Sequence, residues 1–195
     1  MKLLLFVDTH GDMNAMELIR AKAGSADAVL CAGDITVWGN NVGEMVKFLD
    51  DLGKPVFIVH GNHETKEEML QACKDMKNVK FVHEQVVSFK DLKIIGFGGG
   101  GFSSRSQRFE SWSRELLKEG HEKSILLTHA PPFKTRLDVV WDANHAGNKS
   151  FREFIEKARP LLAVSGHIHE TWGETDKIGR TIVINPGPEG LIIEI

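Results

Sequence analysis

Five short apolar runs, each followed at once by a polar cluster, constrain the fold of this chain most strongly. The clusters together supply two Asp, one Asn and five His side chains that could act as metal donors. Apolar runs of this length indicate buried strands, and the carboxyl ends of neighbouring parallel strands meet at one edge of a sheet. The clusters are therefore expected to lie together in space. In chain order they are Asp8-Thr9-His10, Gly33-Asp34, Gly61-Asn62-His63-Glu64, Thr128-His129 and Gly166-His167-Ile168-His169.

The first third of the chain alternates strands with helices. Apolar runs at 3–7, 28–32 and 55–59 are separated by segments with helical spacing at 14–23, 42–52 and 66–76. Buried strands that are joined by helices indicate a parallel sheet with right-handed crossovers. The sequence therefore opens as an α/β fold.

The rest of the chain predicts a second sheet. Strand-like stretches at 79–82, 84–89 and 93–97 indicate an antiparallel meander, and those at 171–175, 180–184 and 191–195 indicate hairpins. Two more buried strands, at 124–127 and 161–164, accompany helices at 107–119 and 150–157. We therefore expect a four-layer α-β-β-α sandwich with two mixed sheets. No repeat or low-complexity linker divides the chain, which predicts one domain over residues 1–195.

Composition narrows the partners and the compartment. The net charge of −3 argues against a broadly basic surface, so no stable nucleic-acid complex is expected. The longest apolar runs fall well short of the roughly 20 residues that span a bilayer, so no membrane association is expected. Cys31 and Cys73 lack the spacing of a zinc or disulfide motif and predict reduced thiols in the cytoplasm. Exposed strands at the sheet edges leave a homodimer open.

The donor types favour a pair of divalent transition metals. Asp8 and His10 are two residues apart, as are His167 and His169, and such pairs project to one side of an extended chain. Imidazole with carboxylate and no thiolate suits Mn²⁺, Fe, Zn²⁺, Co²⁺ or Ni²⁺ better than Ca²⁺ or Mg²⁺. Two ions about 3.5–4 Å apart need a shared anionic ligand. Asp34 is the natural bridge.

Several other features have ordinary structural explanations. The glycine run at 98–101 lacks the Lys-Ser/Thr of a phosphate-binding P-loop and predicts a flexible turn. Arg105 and Arg108 fit a solvated helix face. The remaining aromatic and histidine residues are expected in core packing or at an interface (Trp38, Trp112, Trp141 and Trp172) and on the surface or just behind the site (His60, His83 and His121). A base-stacking role for the tryptophans is the alternative, with Trp38 and Trp141 in loops near the predicted site.

The chain resembles the calcineurin-like metallophosphoesterases. Their pattern is Asp-x-His, Gly-Asp, Gly-Asn-His-Asp/Glu, a later His and Gly-His-x-His, and every element occurs in order over residues 8–169, with a family-like tail at 185–187. The resemblance implies the same sandwich fold and His63 as the unliganded catalytic histidine. It also implies two ion sites, the first formed by Asp8, His10, Asp34 and His169, and the second by Asp34, Asn62, His129 and His167.

The resemblance also implies a phosphoester hydrolase in which a metal-bridging hydroxide attacks phosphorus and His63 protonates the leaving group. Residues 33–39 lack the Asp and Arg of Ser/Thr protein phosphatases, so a small prokaryotic phosphodiesterase-type member is the better match. In such members a His-x-Gly-Ser segment lies near the substrate; here His145, Gly147 and Asn148 occupy it, with Asn in place of Ser.

The sequence thus predicts a phosphodiesterase that acts on a small nucleotide-like diester, with Mn²⁺ as the preferred metal. Two alternatives stay open. One is a phosphomonoesterase that acts on a small metabolite, because the same attack cleaves both ester types. The other is a non-catalytic metal-binding scaffold.

Overall fold

A computed structural model describes residues 1–118 and 120–195 of the chain. In chain order the strands of the described part are β1 Lys2–Phe6, β2 Ala28–Cys31, β3 Val56–Ile58, β4 Val79–Phe81, β5 Gln85–Phe89, β6 Leu92–Phe97, β7 Ser124–Thr128, β8 Val139–Val140, β9 Asn144–His145, β10 Leu162–Val164, β11 Thr175–Ile178, β12 Thr181–Ile184 and β13 Leu191–Glu194. The helices are α1 Met13–Ala23, α2 Val42–Asp50, α3 Lys66–Cys73, α4 Gln107–Leu116 and α5 Lys149–Ala158. The prediction of a helix at 107–119 ends on position 119, which lies outside the described residues.

Two mixed sheets form the centre of the fold. The first has the order β13-β1-β2-β3-β4, in which β1 to β4 are parallel and β13 is antiparallel to β1. The second has the order β11-β12-β10-β7-β6-β5, with parallel pairs inside and an antiparallel strand at each edge. The expected pair of mixed sheets is confirmed.

Side-chain alternation along each strand produces the four layers. In β1, Leu3 and Leu5 pack between the sheets, whereas Leu4 and Phe6 pack against the helices of the first sheet. In the second sheet, Leu126 faces the opposite helix layer. Because both faces of each central strand are buried, the strands are continuous apolar runs. The helices therefore cover the outside, with α1 to α3 on the first sheet and α4 and α5 on the second.

Local capping explains where two of the helices begin. The Thr65 hydroxyl accepts a hydrogen bond from the Glu68 amide, and the Glu68 carboxylate accepts one from the Thr65 amide, which forms a capping box before α3. The Asn148 side chain accepts hydrogen bonds from the Ser150 and Phe151 amides at the start of α5. Both caps satisfy amides that the helix itself leaves unpaired.

Two predictions of strand pairing were wrong. β4 joins the first sheet parallel to β3 because α3 makes one more crossover connection, so residues 79–97 form no meander. β13 leaves the C-terminal hairpin of β11 and β12 and pairs with β1 in the first sheet. The described part of the chain contains no helix of the length and apolarity needed to cross a membrane.

Candidate metal centre

The polar clusters meet at one edge of the sandwich. Three follow β1, β2 and β3 of the first sheet, and two follow β7 and β10 of the second. Backbone hydrogen bonds join adjacent clusters: the Asp8 amide donates to the Gly33 carbonyl at 3.1 Å, and the Gly166 amide to the His129 carbonyl at 2.9 Å. Gly61 lies so close to the Asp34 carboxylate that a β-carbon there would overlap it. The first and second sheets thus contribute to one site.

Donor atoms within this site form three overlapping groups. In each group the possible ligand atoms lie within 4.8 Å of one another. The groups are Asp8 with His10 and His169, His10 with Asp34 and His63, and Asp34 with His129 and His167. Asp34 belongs to two of them, as expected for a carboxylate that is shared between two ions.

The first group holds two imidazoles in a geometry that suits one ion. His10 Nδ1 lies 3.2 Å from the Thr36 carbonyl, so Nδ1 carries the proton and Nε2 keeps its lone pair. His10 Nε2 and His169 Nε2 are 3.2 Å apart. Two nitrogen ligands at about 2.1 Å from a shared metal lie about 3.0–3.4 Å from each other. The spacing therefore fits adjacent positions on one cation.

The second group surrounds the fully buried His129. Its Nδ1 donates to the Ala32 carbonyl at 3.0 Å, and its Nε2 lies 3.0 Å from Asn62 Oδ1 and 3.3 Å from Asp34 Oδ2. Burial alone lowers the pKa of His129, but its contact with Asp34 raises that pKa to about 9. Burial likewise raises the pKa of Asp34, and the His129 hydrogen bond outweighs it and holds the value at about 2. The surroundings of His129 and Asp34 therefore stabilise a positive charge at this position.

Two buried atoms of the site lack any hydrogen-bond partner among the described residues, Asp8 Oδ1 and His167 Nε2. The other oxygen of Asp8 accepts from the His167 amide at 2.9 Å and from the Trp172 indole at 3.4 Å. Burial lowers the pKa of His167 to about 4, so its ring is neutral and can act as a ligand. Buried polar atoms without partners are costly, and a bound cation would satisfy both. The residues present therefore fit a metal pair.

His63 lies beside this cluster with its ring held from one side. Its Nδ1 accepts a hydrogen bond from the Trp38 amide at 3.2 Å, so a neutral ring carries its proton on Nε2. The Trp38 indole packs against it at a tilt of 34°, with 4.4 Å between ring centroids. The His63 amide donates to Asp34 Oδ1 at 2.9 Å. The ring is thus fixed relative to the central carboxylate.

The backbone at the site differs from the extended conformation that the spacing predicted. Asp8, His10 and His167 have φ of 55°, 46° and 70°, in the left-handed region that non-glycine residues rarely adopt. The paired residues of Asp8-x-His10 come together through tight turns and not through strand alternation, so that explanation was wrong. Strained conformations of this kind gather at functional sites, where the surrounding structure enforces them.

Glu64 is a site residue whose role the sequence did not reveal. Its buried carboxylate accepts hydrogen bonds from the amides of Asp34, Thr36 and Gly61 at 2.8–3.2 Å and from the Thr36 hydroxyl at 2.7 Å. Burial raises its pKa. Glu64 therefore positions the Asp34 turn, and its place in the Gly-Asn-His-Glu motif was the available signal.

The family-like tail braces the last cluster. The buried Asn185 side chain donates to the Ile168 carbonyl at 3.1 Å and to the Thr171 hydroxyl at 3.0 Å. The Gly187 carbonyl accepts from the Val7 amide at 3.1 Å. The tail therefore fixes the turn that carries His167 and His169 against the end of β1.

The segment that was expected to contact substrate is partly buried and partly exposed. Asn148 is fully buried and its side chain caps α5, and its side-chain amide also donates to the Ser103 carbonyl at 2.8 Å. The Gly147 amide donates to the buried Asp138 at 3.0 Å. His145 is exposed, and its Nδ1 donates to Asp138 at 2.7 Å. Of the three residues only His145 is exposed, whereas Asn148 has a structural use.

The structure also tests the expectations for the tryptophans, for three further histidines and for two arginines. Trp38, Trp141 and Trp172 are exposed, so core packing is wrong for them, whereas Trp112 packs against the core. The three further histidines, expected on the surface or just behind the site, are all buried, so the surface alternative is wrong for them (His60, His83 and His121). The exposed arginines of the 105–108 segment pair with acidic side chains, Arg105 with Glu110 and Glu153, and Arg108 with Glu84.

Comparison with known proteins agrees with this geometry. The family model for calcineurin-like phosphoesterases matches residues 1–171. The chain belongs to this family. The family is dimetal-dependent and hydrolyses phosphoesters, and the three donor groups are this chain's candidates for its metal ligands.

Individual relatives show the same likeness. An uncharacterized protein of Methanocaldococcus jannaschii is 30% identical, over 99% of this chain and 91% of that one. A crystal structure from Thermus thermophilus has a TM-score of 0.74 at 18% identity, over 96% of this chain and 90% of that one. A dimetal phosphatase from Danio rerio has a TM-score of 0.60 at 10% identity, over 94% and 86% of the two chains. The two structures show that the fold is shared.

Proposed function

We propose that this chain is a dinuclear metal-dependent phosphodiesterase that hydrolyses a small, nucleotide-like phosphodiester. The observation that supports it most is that two buried atoms, Asp8 Oδ1 and His167 Nε2, have no hydrogen-bond partner among the residues that the structure describes and lie beside three groups of converging donors. Such an arrangement is unfavourable unless a cation completes it. The family membership supports phosphoester hydrolysis as the chemistry.

The proposed ligands divide between two ions. Asp34 would be shared, and Mn²⁺ is the ion we propose for both sites because the donors are imidazole and oxygen. The first ion would use Asp8, His10 and His169 besides Asp34, and the second Asn62, His129 and His167. Two divalent ions, when bound, lower the pKa of water and neutralise charge on the phosphoryl oxygens.

His63 is the proposed general acid. Its Nδ1 is occupied by the hydrogen bond from the Trp38 amide, so Nε2 is the nitrogen that can present a proton to the oxygen of the departing group. The hydrogen bond from the His63 amide to Asp34 keeps the ring at a constant position beside the phosphate site. Water adds to phosphorus and the P–O bond to the leaving group breaks. The released oxygen takes a proton from His63 Nε2, and the proton that the water loses restores the one on His63.

The proposed working compartment is the cytoplasm. Cys31 and Cys73 are free thiols in the described structure. Burial raises the pKa of the Cys73 thiol to about 12 and places that of Cys31 well above its ordinary value. Both thiols are therefore protonated at neutral pH, and free thiols persist in reducing compartments.

The test combines metal content with two chromogenic esters. We expect two Mn²⁺ ions per chain by elemental analysis and faster hydrolysis of bis-p-nitrophenyl phosphate than of p-nitrophenyl phosphate. A preference for the monoester would replace the proposal with a phosphomonoesterase. Inertness toward both esters at full metal occupancy would replace it with a metal-binding scaffold. A screen of nucleotide diesters and monoesters with Mn²⁺ then narrows the substrate.

A further inference from the structure

A groove of about 330 Å³ opens beside two of the proposed metal ligands, His167 and His169. Its walls include Phe102, Val140 and Trp141, and the exposed Glu170 also lines it. We call it the Phe102–Trp141 groove. Its volume lies at the lower end of the range for sites that hold small organic ligands, which are mostly apolar with a few polar groups. The groove is continuous with the metal centre because it shares two histidines with it.

The aromatic side chains of the groove are unusually exposed. Trp141 is 81% exposed and Phe102 is 67% exposed. The Phe102 ring also contacts the ring of His167, with 4.3 Å between centroids. Exposed apolar rings beside a polar cleft mark ligand-binding surfaces, and flat aromatic faces stack well on planar ligands.

The backbone has positive φ beside both rings. Trp141 is followed by Asp142 and Ala143 with φ of 55° and 59°, in the left-handed region that disfavours a β-carbon. Phe102 follows three glycines with φ of 77°, 100° and 45°, a path that other residues adopt poorly. Core packing does not require either conformation, because both rings lie outside the core. Such conformations gather at functional sites, which supports a role for the two rings in ligand contact.

The groove lies on a different part of the centre from His63. Among the described residues that line it are His167 and His169 but neither His63 nor Trp38. His63 instead shares a donor group with His10 and Asp34. If the leaving group departs toward the His63 proton, the other ester arm is directed toward a separate surface. A monoester has no such second arm.

We infer that the Phe102–Trp141 groove binds a planar aromatic ring carried by the ester arm that stays on phosphorus, a step that rests on the proposed function. The Glu170 carboxylate repels a second phosphate there and can accept a hydrogen bond from an amino or imino group of a nucleobase. The occupant is therefore an uncharged base. The preferred substrate is a nucleoside phosphodiester, and the products are a nucleoside monophosphate and an alcohol.

The test uses two esters with the same leaving group, thymidine 5′-(p-nitrophenyl phosphate) and methyl p-nitrophenyl phosphate. We expect the wild-type kcat/KM to be about tenfold higher for the thymidine ester than for the methyl ester. A factor of this size is what the stacking of one base on an aromatic side chain contributes. Trp141→Ala should bring this ratio close to one, mainly through KM of the thymidine ester. Trp141→Phe should keep most of the preference because a ring remains.

Leu161→Ala is the matched control. Leu161 is an exposed apolar residue before β10, at the opposite end of that strand from His167. This variant should keep both rates and their ratio. An unchanged ratio in Trp141→Ala, with hydrolysis of both esters intact, would overturn the groove assignment and leave the proposed function standing.

A binding measurement separates the two proposals further. Calorimetric titration of the Mn²⁺-loaded protein should show thymidine 5′-monophosphate binding about tenfold more tightly than methyl phosphate, and Trp141→Ala should remove the difference. If neither ester is hydrolysed, the proposed function fails, and this titration still decides the groove. Equal affinity of the wild-type protein for both phosphates would refute it.

Discussion

Two groups of histidines in this molecule differ in what surrounds them. His60 and His83 lie with 4.5 Å between their ring centroids, and the His83 Nδ1 accepts from the Gly98 amide at 2.9 Å. Burial lowers the pKa of His60 to about 3 and that of His83 to about 4. The neighbouring Glu84 is already paired with Arg108 and Lys66. This group is neutral and serves packing.

The histidines of the metal centre range from the fully buried His129 to the exposed His169, and they stand beside carboxylates that no basic residue neutralises in the described structure. His129 contacts Asp34 at 3.3 Å and lies 3.9 Å from Asp8, and its pKa rises to about 9. Burial by itself would have the opposite effect. The difference teaches that free carboxylates, and not the number of histidines, turn a buried imidazole group into a site for cations.

The largest effect is expected when the shared carboxylate of Asp34 is changed. Asp34→Asn removes the charge that two donor groups hold in common, so elemental analysis should find at most one metal per chain. Hydrolysis of bis-p-nitrophenyl phosphate should fall by about 10⁴-fold, since the ions supply several kcal/mol of charge stabilisation. Two retained ions and normal turnover would show that Asp34 is no bridge.

The next effect separates chemistry from metal binding. His63→Ala should keep both ions, because the other donors remain, and should lower kcat by about 10³-fold through loss of the general acid. His83→Phe is the matched control, a change at a buried histidine of the packing group, and should leave kcat within about twofold of wild type. Unchanged turnover in His63→Ala would remove its catalytic assignment.

A smaller effect is expected at the positioning residue. Glu64→Gln keeps the shape of the side chain but replaces one carboxylate oxygen with an NH₂ group. That group cannot accept the hydrogen bonds that Thr36 or Gly61 donates to the oxygen it replaces. The Asp34 turn should loosen, and the apparent Mn²⁺ affinity should fall by about 10–100-fold, as it does when supporting groups of a metal site are changed. High Mn²⁺ should restore kcat, which distinguishes this role from direct ligation. A loss of rate that excess metal leaves unrepaired would contradict it.

The smallest effect concerns stability and pH in the packing group. In the folded chain the pKa of His83 is about 4 and below its ordinary value of 6.5, so the unfolded chain binds a proton first as pH falls. Wild type should therefore lose stability relative to His83→Phe between pH 6.5 and about 4. Urea unfolding of both proteins in EDTA measures the difference.

At neutral pH the same variant should be destabilised by about 1–3 kcal/mol, because the buried Gly98 amide loses its acceptor. A difference between the two proteins that stays constant from pH 7 to pH 4 would show that His83 titrates normally.

Much of the fold followed from local pattern. The alternation of apolar runs and helical segments predicted the layers, since buried parallel strands have no polar face. The pairing of β4 and β13 escaped prediction because partner choice in a sheet depends on residues far apart in sequence. β4 follows α3 and so repeats the strand–helix–strand unit that precedes it. This repeat could have indicated a parallel strand, but β4 is too short for the pattern to stand out.

The sequence predicted which donor side chains come together, but it did not predict the backbone and the aromatic rings around them. The position of each cluster after a predicted strand indicated that Asp34 and His129 lie in one group, and the structure places them 3.3 Å apart. The left-handed turns at Asp8 and His167 were missed because neither residue type requires a positive φ. The exposure of Trp38 and Trp141 was missed for a related reason: composition favours burial of a large apolar ring, and only tertiary structure shows that loops hold it outward.

The position of the donors along the chain has a consequence for biosynthesis. Asp8 lies at the end of the first strand, His169 follows β10, and β13, the last strand, pairs with β1 beside Asp8. A nascent chain on the ribosome exposes Asp8, His10 and Asp34 long before their partners emerge. We therefore expect cation capture to be a late event that closes the molecule after translation, so that metal supply in the cell governs the yield of mature protein as well as its activity.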